Sequence, residues 1–343
     1  MAKEEVKEKK ILNLSDFTEQ IKKTLGKDTI VNAEEVESYS EVIQCTPISL
    51  RNALGIGGYA KRKLYLIDGE TSGGKSTLLY DAIANEQKKN GSQCLLLDRE
   101  DSYTKNYGKL MGIDNSKLTV MKPETLEDMY AAVNMALDSK LFGVIGVDSV
   151  TAFAPSARLE GSEQMGIESR VNSDKSRGMM KALEKSNTAL LMIQQTRQKI
   201  GGFGDPTTVS GGSALPFAAH VRIRITRSEI DRENEQNVVK FTVIKNKFHK
   251  PFQVGTVVYK WGVGFDTFSE CMELAVEFGI IKKEKTTFTP PETDLKIVGK
   301  KAIIQYLKDN PDYTKNVIEP LVADYLANTA NLRADEISEN ELN

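Results

Sequence analysis

The chain has 343 residues, of which 40% are hydrophobic and 27% charged, and its formal net charge is −2. These values exclude a fibrous or disordered protein and do not indicate an overall basic one, although a total near zero leaves room for a local basic surface. With three widely separated cysteines, two histidines and no long apolar stretch, we expect no disulfide framework, zinc site or membrane insertion, and we predict a cytoplasmic location.

The first predicted element is a short amphipathic helix. Apolar residues recur at helical spacing from Leu14 to Leu25, Ser15 is placed as the N-cap, and Gly26 follows the last turn. A helix of this length is marginal alone, so its apolar stripe must dock either on its own domain or on a neighbouring subunit. The sequence favours neither alternative.

A phosphate-binding loop follows the apolar run that begins at Leu64. The pattern is G-x-x-x-x-G-K-[ST], in which the paired glycines let backbone N–H groups face the β-phosphate, Lys75 reaches the β- and γ-phosphates, and the Ser76 hydroxyl binds Mg²⁺. We therefore predict ATP or GTP binding. The predicted nucleotide-binding residues of the loop are Gly69, Glu70, Thr71, Ser72, Gly73, Gly74, Lys75, Ser76 and Thr77.

Apolar runs that predict strands alternate with helical segments through the middle of the chain. The runs are Leu64–Asp68, Gln93–Asp98, Leu118–Met121, Val144–Asp148 and Ala189–Gln195. This alternation predicts an α/β fold with a mostly parallel central sheet and helices on both faces. The hydrophobic period then changes, which predicts antiparallel strands that extend one edge of the sheet. These strands are Val221–Ile225, Val238–Lys247 and Gln253–Tyr259.

The carboxy-terminal part is predicted to form a small separate module. Thr286–Pro291 carries a Pro-Pro pair and is typical of a linker, and the runs at Ala302–Leu307 and Val317–Leu326 predict helices after it. The final residues are acidic, whereas basic residues cluster between positions 220 and 250. We predict an N-terminal helix and docking segment (1–45), a nucleotide-binding core (46–285), a small C-terminal domain, helical or α+β (286–328), and an acidic tail (329–343).

Three predicted strands end in side chains suited to nucleotide hydrolysis. Asp148 is placed to hold the Mg²⁺ side, and Glu100 is the candidate general base, with Asp98 and Asp101 as close competitors. Gln195 precedes a loop rich in glycine and is a candidate γ-phosphate sensor. Each residue also has a purely structural alternative. Asp148 could be a helix N-cap, Glu100 a solvated loop carboxylate, and Gln195 a buried side chain that caps a backbone group.

The chain resembles the bacterial RecA-type homologous recombinases over nearly everything from residue 11 to 327. Besides the phosphate loop and the Asp148 strand, the segments that carry the resemblance are Ser49–Gly58, Leu159–Gly161, Met165–Gly166, Lys185–Thr188, Ile193–Ile200, Phe203–Pro206, Gly211–Leu215, Lys245–Lys247 and Pro251–Phe252. The resemblance implies a RecA-like ATPase core that binds ATP with Mg²⁺ between the subunits of a homo-oligomeric helical filament. It also implies that the filament forms on single-stranded DNA and exchanges strands with homologous duplex DNA.

The same resemblance assigns roles in and around the ATP site. The family's nucleotide and hydrolysis residues are matched by Lys75, Ser76, Glu100 and Asp148. We also predict that Asp98 binds the nucleotide. Tyr107 matches the aromatic residue that stacks on adenine, and Gln195 matches the nucleotide sensor. Lys245 and Lys247 match the lysine pair that reaches the γ-phosphate of the neighbouring subunit, and Phe217 matches a residue of the subunit interface.

The DNA-binding positions that the resemblance implies lie in three places. The positions in and after the first loop are Met165, Arg170 and Arg177. Those around the second loop are Arg197, Lys199, Phe203, Gly211 and Gly212. Those of a basic patch for duplex DNA are Arg227 and Lys240. Cations neutralise phosphates, and glycines allow backbone N–H groups to approach them. The first loop is shorter than the family pattern, and Thr226 and Thr242 stand where cations are expected. These departures suggest a divergent or phage-borne member with altered strand exchange.

The main hypothesis is therefore a DNA-dependent ATPase of recombination, DNA repair and the SOS response. A hexameric helicase-type motor of the same superfold is one alternative, and a regulatory paralogue that does not exchange strands is another. A small-molecule kinase is the weakest alternative, because a single-subunit enzyme has no need of the lysine pair.

Overall fold

The structure is a computed structural model that describes residues 13–26, 30, 33–35, 41–70, 73–161, 164, 166–198, 207–209 and 211–326. The side chains of 197, 198, 207–209, 228 and 229 are not among the described parts. The chain divides into two compact units, Met1–Ser40 and Glu41–Asn343. The predicted acidic tail lies outside the described residues. Within them, no helix combines the length and the apolar character that crossing a membrane requires.

The amino-terminal unit contains the predicted amphipathic helix, α1 (Leu14–Leu25). Its N-cap is Asn13, whose side chain accepts a hydrogen bond from the N–H of Asp16, so the prediction of Ser15 as the cap was wrong by two residues. Both residue types are good caps, and sequence alone separates neighbouring candidates poorly. Gly26 ends the helix as predicted, with a φ of 107°.

The second unit is built on a large sheet. Together with two smaller sheets, the described residues form fifteen strands. They are β1 (Val42–Gln44), β2 (Gly58–Ala60), β3 (Leu64–Gly69), β4 (Gln93–Asp98), β5 (Leu118–Met121), β6 (Phe142–Asp148), β7 (Ala189–Gln198), β8 (Thr207–Val209), β9 (Val221–Asp231), β10 (Gln236–Asn246), β11 (Gln253–Lys260), β12 (Gly264–Phe265), β13 (Lys282–Glu284), β14 (Thr287–Thr289) and β15 (Ile297–Val298).

The main sheet has the order β12-β11-β10-β9-β3-β7-β6-β4-β5, and β8 pairs with β7 off this path. The strands from β5 to β9 in this order run parallel, whereas β9 to β12 form antiparallel pairs. The predicted mostly parallel sheet with an antiparallel extension is confirmed. Because parallel strands end at one edge, β3, β4, β6 and β7 bring the predicted chemical residues together there.

Helices cover both faces of the sheet, as predicted. The helices are α2 (Ile48–Leu54), α3 (Lys75–Asn90), α4 (Lys105–Leu110), α5 (Leu126–Ser139), α6 (Ser156–Leu159), α7 (Ile167–Lys185), α8 (Ala214–Ala218), α9 (Thr267–Glu277), α10 (Lys300–Asp309) and α11 (Pro311–Tyr313). Helix α3 packs on one face with Tyr65 and Ile67, whereas α5 and α7 pack on the other with Leu64 and Leu66. The central strands are therefore buried on both sides, which explains their continuous apolar sequences.

The carboxy-terminal part is α+β. Strands β13, β14 and β15 form a three-stranded antiparallel sheet, and a π-helical turn at Thr314–Ile318 follows α11. The predicted linker at Thr286–Pro291 instead contains β14, and the predicted boundary after residue 285 falls in the β13–β14 turn. The core here joins Cys271 and Met272 of α9 to Phe288 and Ile303, so α9 shares it. A Pro-Pro pair marks the end of a strand equally well.

Candidate nucleotide site and subunit surface

The phosphate loop lies between β3 and α3. Gly69 is the last residue of the strand, and Gly74 precedes the helix with a φ of 97°, a left-handed conformation that favours glycine. The loop is closed by the N–H of Gly73, which donates to the Glu70 carbonyl at 3.3 Å, and by Lys75 Nζ, which donates to the same oxygen at 2.5 Å. Of the predicted loop residues, Thr71 and Ser72 lie outside the described residues.

A hydroxyl and a carboxylate meet beside the loop. Ser76 Oγ donates a hydrogen bond to Asp148 Oδ2 at 2.6 Å, and Asp148 lies at the end of β6 with 3% exposure. Burial raises the pKa of Asp148 to about 6, and the Ser76 hydrogen bond opposes this shift. Burial also lowers the pKa of the Lys75 ammonium, against the attraction of Asp148 and Glu100. The structure therefore brings together the cation and the oxygen ligands that the motif predicts.

Glu100 contacts a residue of β7 and the residue that directly follows the neighbouring strand β6. Its Oε1 accepts hydrogen bonds from Ser149 Oγ at 2.6 Å and from Gln195 Nε2 at 2.9 Å, and Ser149 is also 3.0 Å from Thr151 Oγ1. The predicted base and the predicted sensor are thus in direct contact. Ser149 was missed by the sequence analysis, although its position directly after Asp148 was a usable signal.

These groups line an open cavity of about 410 Å³. The antiparallel strands and the turn after β11 complete its wall, and of the residues that they contribute only Arg227 was singled out from the sequence. The lining residues are Gly73, Gly74, Lys75, Ser76, Thr77, Glu100, Asp148, Ser149, Ile193, Gln195, Arg227, Asn237, Tyr259 and Trp261. Trp261 is the single tryptophan of the chain. The size and the mixed apolar and charged lining are typical of a small-molecule site.

Asp98 and Tyr107 are not among the residues that line this cavity. The Asp98 carboxylate accepts hydrogen bonds from the backbone N–H groups of Ser102 and Tyr103, so it fixes the turn after β4. The Tyr107 hydroxyl is 2.6 Å from that of Tyr259 and 3.3 Å from Thr77 Oγ1. Tyr107 therefore lies directly behind two cavity residues.

The predicted DNA-binding glycines are connected to α7. Buried Asn172 donates from Nδ2 to the Gly211 carbonyl at 2.8 Å and accepts from the Tyr130 hydroxyl at 2.8 Å. Gly211 and Gly212 have φ values of 86° and 81°. No sequence motif indicated Asn172, which lies two residues after Arg170. It ties the exit of the second loop to the helix that follows the first.

The other predicted DNA-binding residues are spread over several elements. Arg170 and Arg177 are exposed and seven residues apart on α7, hence on one side of the helix. Lys240 is exposed on β10, whereas Arg227 lines the nucleotide cavity. Met165, Lys199, Phe203 and the side chain of Arg197 lie outside the described parts of the chain.

The predicted subunit-contact residues converge on the end of α8. Phe217 is 76% exposed, and Lys245 Nζ donates to the carbonyls of Pro216 and Phe217 at 3.1 and 2.7 Å. The N–H of Lys247 donates to the His220 carbonyl at 3.1 Å. Burial and the neighbouring charges of Lys247 and Arg222 lower the pKa of Lys245. The structure thus places the aromatic residue and both lysines on one surface, and neither lysine lines the cavity of its own subunit.

His220 makes the folded state of this surface sensitive to acid. Its Nδ1 accepts the N–H of Leu64 at 3.1 Å, and burial together with Lys247, Lys63 and Lys245 lowers its pKa to about 4. The pKa of a histidine in the unfolded chain is about 6.5. Between this pKa and that of the folded state, the unfolded state therefore binds more protons than the folded state does. We therefore expect this residue's contribution to stability to be complete above about pH 6.5 and to decline as the pH falls toward about 4.

The test is denaturant unfolding of the wild type and of His220→Asn, whose amide oxygen can still accept from Leu64. The loss of stability between about pH 7.5 and about pH 4.5 should be smaller in the variant than in the wild type. Equal losses would contradict the assignment.

No cluster of three or more His, Cys, Asp or Glu side chains that could hold a metal ion occurs in the described part of the chain.

The chain is similar to known proteins over most of its length. The family described as the RecA N-terminal domain matches residues 12–266. The chain is 35% identical over 323 residues to Protein RecA of Porphyromonas gingivalis, which covers 92% of this chain and 94% of that protein. It is 33% identical to Protein RecA of Mycoplasma mycoides, over 92% and 94% of the two chains, and 33% identical to Protein RecA of Bacteroides thetaiotaomicron, over 90% and 95%. The chain belongs to the RecA family.

Proposed function

We propose that this protein forms filaments on single-stranded DNA and pairs that strand with a homologous duplex, with ATP hydrolysis controlled across the contact between subunits. As a member of the RecA family the chain acts in DNA recombination and repair and hydrolyses ATP. The observation that best supports the finer proposal is the convergence of Glu100, Gln195 and Ser149 beside the phosphate loop.

Within one subunit, Lys75 and the backbone N–H groups of the loop bind the phosphates of ATP. Glu100 orients the attacking water and accepts its proton, which requires a carboxylate within hydrogen-bond reach of that water. Gln195 contacts the γ-phosphate through its amide. Ser149 holds Glu100 in place, because its hydroxyl donates to the carboxylate oxygen that also meets Gln195.

The residues beside the loop fit a magnesium ion. Ser76 and Asp148 already place a hydroxyl and a carboxylate oxygen 2.6 Å apart, and Mg²⁺ prefers oxygen ligands, few of them from the protein. Bound there, the ion would neutralise charge that develops on the β- and γ-phosphate oxygens. Asp148 must be ionised to serve as a ligand, and Lys75 on the same side favours its charged form.

The nucleobase is expected against the antiparallel strands rather than against Tyr107 directly. Trp261 and Tyr259 provide aromatic surface on the cavity wall, and Asn237 lines the same cavity. Tyr107 supports this wall through its hydroxyl contact with Tyr259. Its direct stacking on adenine stays a prediction.

Between subunits, Lys245 and Lys247 are proposed to reach the γ-phosphate bound by the neighbouring subunit. A site that combines two different surfaces is a heterologous contact, which generates either open helical filaments or closed rings. Phe217 is proposed to pack against the neighbour, since 76% of it is exposed beside these lysines. Lys245 and Lys247 would then respond directly to ATP bound in the neighbour's site.

The DNA-binding surface is proposed to include Arg170, Arg177 and Lys240, with the backbone of Gly211 and Gly212, and with Met165, Arg197, Lys199 and Phe203. The cations neutralise DNA phosphates, so affinity should fall steeply with salt. Asn172 supports this surface by holding Gly211 against α7.

Electron microscopy with single-stranded DNA and a slowly hydrolysed ATP analogue, followed by strand exchange on the same sample, tests the proposal. Open filaments that exchange strands are expected. Filaments that cannot exchange strands would indicate a regulatory paralogue, and closed rings would indicate a helicase-type motor.

A further inference from the structure

We propose that Arg227 is a nucleotide-binding residue whose guanidinium contacts the phosphates of the nucleotide held by its own subunit. This assignment rests on the proposed nucleotide site. It stands in place of the DNA-binding role that the resemblance gives to Arg227 together with Lys240. It follows from the pairing of β9 with β10, from the contacts of that face and from the charges around the cavity.

The strand register separates Arg227 from Lys240. In the antiparallel pair of β9 and β10, Arg227 lies opposite Val239, and Thr226 lies opposite Lys240. Cross-strand partners have side chains on the same face, whereas successive residues point to opposite faces. Arg227 therefore shares a face with Val239, which is buried, and Lys240 occupies the other, exposed face. The two side chains therefore leave the sheet in opposite directions.

The Val239 face is the face that meets the phosphate loop. A methyl group built on Gly74 would lie 3.8 Å from Val239 Cγ2, and one on Gly73 would lie 3.8 Å from Ile225 Cγ2. Ile225 is two residues before Arg227 on the same strand face, and its strand pairs with β3 up to Gly69. Arg227 is thus the next side chain along a row that already touches the loop glycines.

A β-bulge lies at this point of the pairing. The register shifts between Val238 and Val239, so that Val238 faces Glu229 while Val239 faces Arg227. Bulges bend a strand and re-aim the neighbouring side chain, and they are common beside active sites. Here the re-aimed residue is the one that lines the cavity.

Charge makes a phosphate the natural partner of this side chain. The other two arginines of the strand core, Arg222 and Arg224, donate to buried Asp68 at 2.8 and 2.9 Å. The exposed side chain of Arg227 makes no hydrogen bond or ion pair with another described residue. Guanidinium groups bind phosphate oxygens through paired N–H donors, a geometry that lysine lacks.

Asn237 gives independent support that this wall is built for a polar ligand. It lies two residues from Val239 on the same face, lines the cavity and is 6% exposed. Its Oδ1 has no hydrogen-bond partner among the described residues. Buried polar atoms are nearly always paired in native proteins, so a ligand that donates to this amide would complete the wall.

The single tryptophan makes a direct test possible, because Trp261 lines the same cavity. ADP and a slowly hydrolysed ATP analogue are titrated with Mg²⁺, without DNA, while Trp261 fluorescence is followed and equilibrium dialysis measures binding independently. Arg227→Gln should weaken both nucleotides about tenfold, equivalent to about 1.4 kcal/mol. Arg227→Lys should fall between this variant and the wild type, because it keeps the charge without the paired donors.

Arg232→Ala is the matched control, since it removes an exposed arginine from the turn of the same hairpin. It should bind both nucleotides like the wild type. Wild-type nucleotide affinity in Arg227→Gln, or an equal loss in the Arg232→Ala control, would overturn the assignment of Arg227. Absence of nucleotide binding by the wild type in dialysis would overturn the proposed nucleotide site itself.

Discussion

Replacing Lys245 and Lys247 together with alanine is expected to leave ATP binding nearly intact and to abolish DNA-stimulated ATP hydrolysis. Cations supplied to a γ-phosphate by a second surface are worth about 10³ to 10⁵ in rate in other systems. Neither lysine lines the cavity of its own subunit, so the loss should not reach the binding step. ATP turnover with and without single-stranded DNA, together with nucleotide affinity, measures both halves of this expectation.

The structure explains why the effect should depend on assembly. In the isolated subunit, Lys245 is held by two carbonyl oxygens at the end of α8, next to exposed Phe217. A neighbouring phosphate must compete with these carbonyls for the ammonium group. The lysine pair should therefore contribute nothing to hydrolysis by separate subunits and should act only once subunits stack.

A matched control is Lys88→Ala with Lys89→Ala, which removes two adjacent exposed lysines from the far end of α3. This variant should keep DNA-stimulated turnover. Normal turnover in the Lys245 and Lys247 double variant would contradict the proposed contact between subunits.

Glu100→Gln is expected to bind ATP and DNA tightly and to hydrolyse ATP poorly. General-base catalysis contributes about 10² to 10⁴ in rate, and an amide cannot accept the proton of the attacking water. The substitution conserves shape, and its amide oxygen can still accept from Ser149 and Gln195, which now contact the carboxylate at 2.6 and 2.9 Å. Single-turnover hydrolysis should fall while the affinity for ATP stays near that of the wild type.

Asp101→Asn provides the comparison, because Asp101 is the adjacent exposed carboxylate and pairs with Lys122 outside the cavity. Its hydrolysis rate should be unchanged. Fast hydrolysis by Glu100→Gln, or a large loss in Asp101→Asn, would move the general base to another residue.

The parts of the site that sequence predicted share one property. Gly74, Lys75, Asp148, Glu100 and Gln195 lie at or just after the ends of parallel strands, and such ends gather at one edge of a sheet whatever the details of packing. Apolar runs with a period that fits buried parallel strands located the ends of β3, β4 and β6 within one residue, whereas β7 runs to Gln198, three residues beyond its predicted end.

The opposite wall could not be predicted in this way. Asn237 and Tyr259 come from antiparallel strands, where a shift of one residue in register exchanges the two faces, and Trp261 follows directly after β11. The bulge beside Arg227 fixes that register through pairing with β10, which no local pattern encodes. The resemblance groups Arg227 with Lys240, whereas the strand pairing assigns the two residues to opposite faces of the sheet.

The contact between Gln195 and Glu100 lies at the point where β7 leaves the sheet toward the second loop. A residue that both ligands influence obliges them to act on each other equally: if ATP increases the affinity for DNA by some factor, DNA must increase the affinity for ATP by the same factor. Measuring the affinity for DNA with and without ATP would therefore also give the factor by which DNA changes the affinity for ATP.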